Sequence, residues 1–191
     1  MADWAGSPWP VVIKTFVFST YFSSVFMSGE KGTILWCNML TLAGIFIAIT
    51  SPFIGILVDQ KSSERFWFIT YTSLLIIICA SLWFVHPSIM GVYGSLILLG
   101  VGTIIYELAC VFYNCILTRI APTAYTGRIS GWGRGVGFLG GLACLIVALK
   151  VFIEPDSPPF MLNKELSEHI RALGPFLSLW VLAFSLPAFF L

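Results

Sequence analysis

Long apolar runs separated by short polar breaks make up almost the whole chain. They lie at about 9–28, 33–58, 66–85, 89–113, 131–152 and 175–191, and each is nearly free of charge. A helix rises about 1.5 Å per residue, so about 20 such residues cross a hydrocarbon core about 30 Å thick. The alternation expected of membrane strands is absent. An open sheet would leave backbone groups unpaired in lipid. The pattern predicts an all-α integral membrane protein with six transmembrane helices.

The polar breaks read as turns. Ser28-Gly29-Glu30-Lys31-Gly32 joins the first two helices, and Asp59-Gln60-Lys61-Ser62-Ser63-Glu64-Arg65 is the most charged short loop. His86-Pro87 separates the third and fourth helices, and the segment 114–130 holds Arg119, Pro122, Gly127 and Arg128. In the longest break, Ser157-Pro158 forms a helix start and Gly174-Pro175 a stop. Leu162, Leu166, Ile170 and Leu173 recur at helical spacing opposite Lys164, Glu165, Glu168 and Arg171. This predicts an amphipathic interfacial helix at about 158–173.

Composition narrows the function. The 191 residues are 58% hydrophobic and 10% charged, with a net charge of +1. A soluble domain carries about a quarter charged residues. A cytosolic enzyme, a disordered tail and a nucleic-acid binder are thereby excluded, the last because no basic footprint exists. Cys37, Cys79, Cys110, Cys115 and Cys144 all fall within apolar runs, without CxxC spacing or a nearby His, and read as small apolar side chains. His86 and His169 are isolated, so no metal site, cofactor or enzymatic centre is expected. The N-terminus lacks the basic segment of a cleavable signal.

Three ionisable residues fall inside spans: Lys14, Glu107 and Arg134. Each costs on the order of 2.5–3.5 kcal/mol at a helix centre, so each must face protein or water and find a partner. All three lie one to two turns from the same side, which places Glu107 between two cations in a cluster suited to an anionic or zwitterionic solute. With Tyr113 and Asn114 two turns beyond Glu107, they are the candidate substrate-binding or gating residues. Gly133, Gly137, Gly140 and Gly141 on the fifth helix form a close-packing face, with Gly44 and Ala48 of the second helix in matching register. Trp9 and Trp132, near span ends, read as interfacial anchors.

The residues also carry a resemblance. Asp3-Trp4-Ala5 with Val12-Ile13-x-Thr15-Phe16-Val17-Phe18, then Tyr106-Glu107-Leu108 to Tyr113-Asn114, then Gly127-Arg128-Ile129-Ser130-Gly131-Trp132-Gly133 to Gly141, resemble one branch of the major facilitator superfamily. That branch holds the autophagy-related vacuolar amino-acid effluxers and their bacterial relatives. The resemblance implies the N-terminal half of such a transporter, built as 3+3 inverted repeats. It implies that the first and fourth helices line a cavity holding Lys14 and Glu107. It also implies a cytoplasmic latch of Gly55, Asp59 and Lys61 or Arg65, although Gln60 and Ser62-Ser63-Glu64 depart from the family's basic run. The glycines of the fifth helix are similar to a motif associated with antiporters, with Phe138 in place of its proline, which implies efflux. Lys14 and Arg134 stand where relatives carry uncharged residues.

The latch loop implies a cytoplasmic N-terminus. A small excess of Lys61, Arg65, Arg119 and Arg128 over Lys31, Lys164 and Arg171 agrees. The protein is expected in the plasma (inner) membrane. Six helices alone cannot enclose a wet path. The expectation is therefore a half-transporter, a permease for a small polar solute such as an amino acid, possibly moved with a coupling ion. Its second six-helix half is either a copy of itself in a homodimer or separately encoded, unless a longer product has been truncated. The competing class is a non-transporting membrane subunit that docks a larger membrane protein.

Overall fold

Proline at positions 8 and 10 removes two backbone donors, yet the chain stays helical across both. In the computed structural model, the first helix, α1, is built of the segments Ala2–Gly6, Trp9–Phe16, Val17–Tyr21 and Phe22–Phe26, the second and fourth of them π-type. The Ser7 and Val11 N–H groups donate to the Asp3 and Ser7 carbonyls, carrying the ladder past Pro8. The wider π turn accommodates the second ring, and Thr15 Oγ1 donates to the Pro10 carbonyl at 2.8 Å. The helix therefore starts before the apolar run at 9. Asp3, Gly6, Ser7 and Pro8 hide its first turns from any hydropathy pattern.

The structure describes residues 2–26, 30–61, 64–86, 89–122, 125–155 and 167–190. After α1 come α2 (Glu30–Lys61), α3 (Glu64–Ser81, closed by a 3₁₀ turn Leu82–Phe84) and α4 (Ile89–Ile120). Then come α5 (Thr126–Val147, continued by a π turn Ala148–Ile153), the single turn α6 (Glu168–Arg171) and α7 (Leu173–Phe190). Among the described residues there is no strand. Five stretches are long and apolar enough to cross a membrane: Glu30–Ile56, Glu64–Phe84, Gly91–Ile120, Thr126–Ile153 and Glu168–Pro187. With α1, they form a bundle of apolar helices.

The early segments of α1 pack on α5 and α7, and its last segment meets α2. α4 lies against α2 and α3, and α3 against α7. The core runs through Trp9, Val12, Ile13 and Phe22 of α1, Leu82, Leu99, and Leu173, Leu177 and Val181 of α7. In contrast, α2 leaves Leu42, Ile45, Phe46, Ile49, Phe53 and Ile56 exposed along one side.

Small residues decide where backbones meet. A Cβ at Gly137 would sit 2.8 Å from Asp3 Cβ, one at Gly140 2.6 Å from the Trp4 ring, and one at Gly141 2.9 Å from Val11. One at Gly133 would lie 2.9 Å from an Asp3 carboxylate oxygen. These glycines therefore seat α1 against α5 at a distance no side chain permits. Gly44 of α2 has open space around it, as do Gly131 and Gly135 of α5. The second helix is thus not the partner of the glycine face.

Two further expectations are corrected. Trp9 is 1% exposed rather than interfacial, because the early start of α1 places it two turns inside the bundle against Gly102 and Ile78. Arg171 is buried rather than solvated. Its guanidinium donates to the Trp83 carbonyl through Nε at 2.8 Å and through Nη2, and lies 5.2 Å from the Trp83 ring centroid. Of the expected helix at 158–173, the part at 158–166 lies outside the described residues; the turn Glu168–Arg171 is helical.

Gly137→Leu should force α1 from α5 and cost about 1–3 kcal/mol, the usual range for overpacking. Gly135→Ala on the open side of the same helix should be neutral or stabilising by up to about 1 kcal/mol. Unfolding of both variants in mixed SDS micelles, followed by circular dichroism, checks the difference.

Candidate functional site

Lys14 projects from the π turn of α1 and Glu107 from the middle of α4. Lys14 Nζ lies 3.5 Å from Glu107 Oε1, with the two side chains 32% and 36% exposed. At an effective dielectric near 20, charges at such a distance attract by about 4 kcal/mol. That is comparable with the cost of either charge alone in hydrocarbon, so the pair holds a position neither residue holds singly. Since α4 continues to Ile120, Glu107 lies about 20 Å along the helix from that end, deeper than the apolar run suggested. Arg134 sits on the exposed side of α5, about 12 Å from the start of that helix. No carboxylate among the described residues lies within ion-pair distance of it. The expected cluster of Glu107 between two cations is therefore a single pair, with Arg134 apart from it.

The first turn of α1 supplies a carboxylate that hydropathy did not single out. Tyr113 Oη donates to Asp3 Oδ2 at 2.7 Å, while Gly133 and Gly137 let the Asp3 side chain lie flat on α5. Beside it is a cavity of about 40 Å³, lined by Asp3, Thr72, Tyr106, Cys110, Tyr113 and Ser185 among apolar groups. Asn114, the neighbour of Tyr113, is half-buried. With Asp3 counted, the formal charges of Asp3, Lys14, Glu107 and Arg134 cancel, instead of leaving the excess positive charge read from the spans alone. The signal that would have found Asp3 is its place seven residues before Pro10, four before Ser7, and opposite a glycine face two turns long.

Beyond Lys14 the accessible side of α1 carries a row of hydroxyls, with the exposed Phe16 ring among them. Thr15, Thr20 and Ser24 are exposed, and Ser19 and Ser23 half-exposed. Each hydroxyl donates to a carbonyl of its own helix four or five residues back. The exposed side of α2 is mainly aliphatic and aromatic, so this side of α1 differs in kind from a surface made for acyl chains.

At the end of the bundle where α3 begins and α4 ends, Glu64 Oε1 meets Arg119 Nη1 at 2.5 Å. The Glu64 side chain is 8% exposed and that of Arg119 43%. Tyr71 and Trp67 stack on Phe112 at centroid distances of 5.3 and 6.2 Å, tying the same two helices together. Of the expected latch residues, Gly55 is half-buried with open space around it and Arg65 is exposed. The side chains of Asp59 and Lys61 lie outside the described residues. Among the described residues the charged contact at this end is Glu64–Arg119, two residues that read as mere loop charges because helical structure extends to Lys61 and resumes at Glu64. Among the described residues no group of His, Cys, Asp and Glu is arranged to hold a metal ion.

The chain is similar to the uncharacterized MFS-type transporter YxiO of Bacillus subtilis (strain 168), with 24% identity over 157 residues. The match covers 79% of this chain and 36% of the relative, so the chain spans about a third of that protein's length. No protein-family model matches the chain, and no solved structure matches it. The similarity to a transporter agrees with the membrane character of the helices and with a non-enzymatic protein.

Arg119→Ala strands the Glu64 carboxylate and should destabilise the bundle by about 1–3 kcal/mol. The double variant with Glu64→Gln should recover part of that loss. A double-mutant cycle on unfolding in mixed micelles measures the coupling.

Proposed function

We propose that this chain is a bundle of a secondary transporter of the major facilitator type, carrying a small polar solute such as an amino acid. The observation that carries the reading is the Lys14–Glu107 pair, held mid-helix yet one third exposed beside the hydroxyl side of α1. Ionisable residues placed mid-span face the bundle interior or a water-filled cavity and point by default to a solute or ion path. The similarity to an MFS-type transporter supports the same class.

In this reading the pair meets the solute at its two ends. The Lys14 ammonium receives a carboxylate and Glu107 an ammonium, so a zwitterion replaces the internal pair with two external ones. Tyr113, Asn114 and Arg134 line the route. Glu64–Arg119, with Asp59, Lys61 and Arg65 nearby in sequence, keeps the side taken as cytoplasmic closed in one state.

The reading requires a second six-helix half, because the polar side of α1 needs a facing wall. That half is a second copy of this chain, a separate polypeptide, or the remainder of a longer product. The open glycine side of α5 at Gly131 and Gly135, and the apolar side of α2, offer surfaces for it. The arrangement within each half is the 3+3 inverted repeat of the superfamily, with the N-terminus in the cytoplasm of the cell and the plasma membrane as its site. Transport is toward the outside.

The test is uptake and release of a panel of labelled amino acids by proteoliposomes holding the purified chain, with its assembly measured by native mass spectrometry. Glu107→Gln should lower flux by at least about tenfold, the equivalent of about 1.4 kcal/mol. A two-copy complex is expected where the chain works alone. Equal flux in wild type and Glu107→Gln overturns the role of the pair.

A further inference from the structure

Charge separates the two open surfaces of the bundle. Along α2 the exposed side from Leu42 to Ile56 is uncharged. On α5 the exposed residue Gly131 has Arg128 on one flank and Arg134 on the other by helical spacing. No Asp or Glu occurs anywhere from 108 to 153. Among the described residues no carboxylate lies within ion-pair distance of either arginine. Two copies joined by a two-fold axis along this side would set arginines against arginines, with no acidic group to offset them. The partner this side fits is an anion.

The shape narrows the anion. A groove of about 650 Å³ runs along α5, lined by Arg128, Gly131, Trp132, Gly135, Val136 and Leu139. From Arg128 to Leu139 the helix rises about 16 Å, close to half of a hydrocarbon core about 30 Å thick, which is one leaflet. The groove is polar at one end only. There Arg128 and Trp132 offer N–H donors and no acceptor. At the other end Val136 and Leu139 are 43% and 60% exposed. Gly131 and Gly135 have open space around them, so the floor is bare backbone against which a hydrocarbon chain can lie. A soluble phosphate would use only the first of these features, and an uncharged chain only the last.

We propose that this groove binds one anionic phospholipid of the bilayer. The headgroup phosphate pairs with Arg128, Trp132 borders the glycerol esters one turn deeper, and one acyl chain follows Gly131, Gly135, Val136 and Leu139 toward the midplane. A zwitterionic lipid fits less well, because its cationic end finds no carboxylate along α5. The site goes beyond the carrier reading and requires only the bilayer. It leaves the uncharged side of α2 as the surface for a second bundle.

The test is native mass spectrometry of the purified full chain in detergent with equal amounts of dioleoyl phosphatidylglycerol and dioleoyl phosphatidylcholine. Retention of phosphatidylglycerol over phosphatidylcholine by about fivefold is expected, the weight of one basic side chain at a charged lipid surface. Arg128→Gln should erase that preference. Gly131→Leu, which fills the floor of the groove, should lower retention of both lipids, and Gly44→Leu on the open side of α2 should change neither. Equal retention of the two lipids, a preference that survives Arg128→Gln, or displacement of the lipid by soluble glycerol phosphate overturns the proposal. A second polypeptide, identical or different, that binds the chain and is lost in Gly131→Leu overturns it as well. Should Arg128→Gln misfold, Arg128→Lys decides: it must keep the preference, and loss of the preference overturns the charge assignment.

Discussion

A charge in hydrocarbon must find its opposite or reach water, and the Lys14–Glu107 contact is where this bundle meets that demand. It fixes the rotation of α1 relative to α4, since turning either helix by one residue separates the two groups. The same two helices meet at Trp9 against Gly102 and at Tyr113 against Asp3, so polar and apolar contacts set one register. The glycines of α5 complete the arrangement by letting α1 settle close enough for Asp3 to reach Tyr113. Removing hydrophobicity as a force between helices, as lipid does, leaves such close fits and hydrogen bonds to define the packing.

Much of the architecture was legible because the physics of spanning is crude. Length and apolarity are enough to mark α2 to α5 and α7, and intramembrane charge is enough to mark Lys14 and Glu107. Hydropathy failed where helical structure continues through polar residues. Asp3 to Pro8, Asp59 to Lys61 and Asn114 to Ile120 are helical, yet each reads as a tail or loop because its sequence is mixed. Trp9 was misplaced for this reason alone: a two-turn error at the start of α1 moves a residue from the boundary to the core.

The site shows the same division. Pairing was foreseeable from charge and approximate depth, but the choice of partner was not. Arg134 and Lys14 look equivalent as sequence, and only helix rotation separates them. Asp3 and the Glu64–Arg119 bridge needed the three-dimensional path of the chain, because their partners are 110 and 55 residues away. Arg171 is the reverse case. Its position among charged neighbours implied solvent, while Trp83 supplies a carbonyl and a ring face that make burial acceptable.

The serine and threonine hydroxyls along α1 carry a consequence for how the helix behaves at a boundary between solvents. Each already has an acceptor within its own backbone, so none is left wanting when water withdraws. Each also keeps lone pairs that water can use when it returns. Such a flank is amphibious. It can border a drained crevice and a flooded one by turns without any change in the fold beneath it.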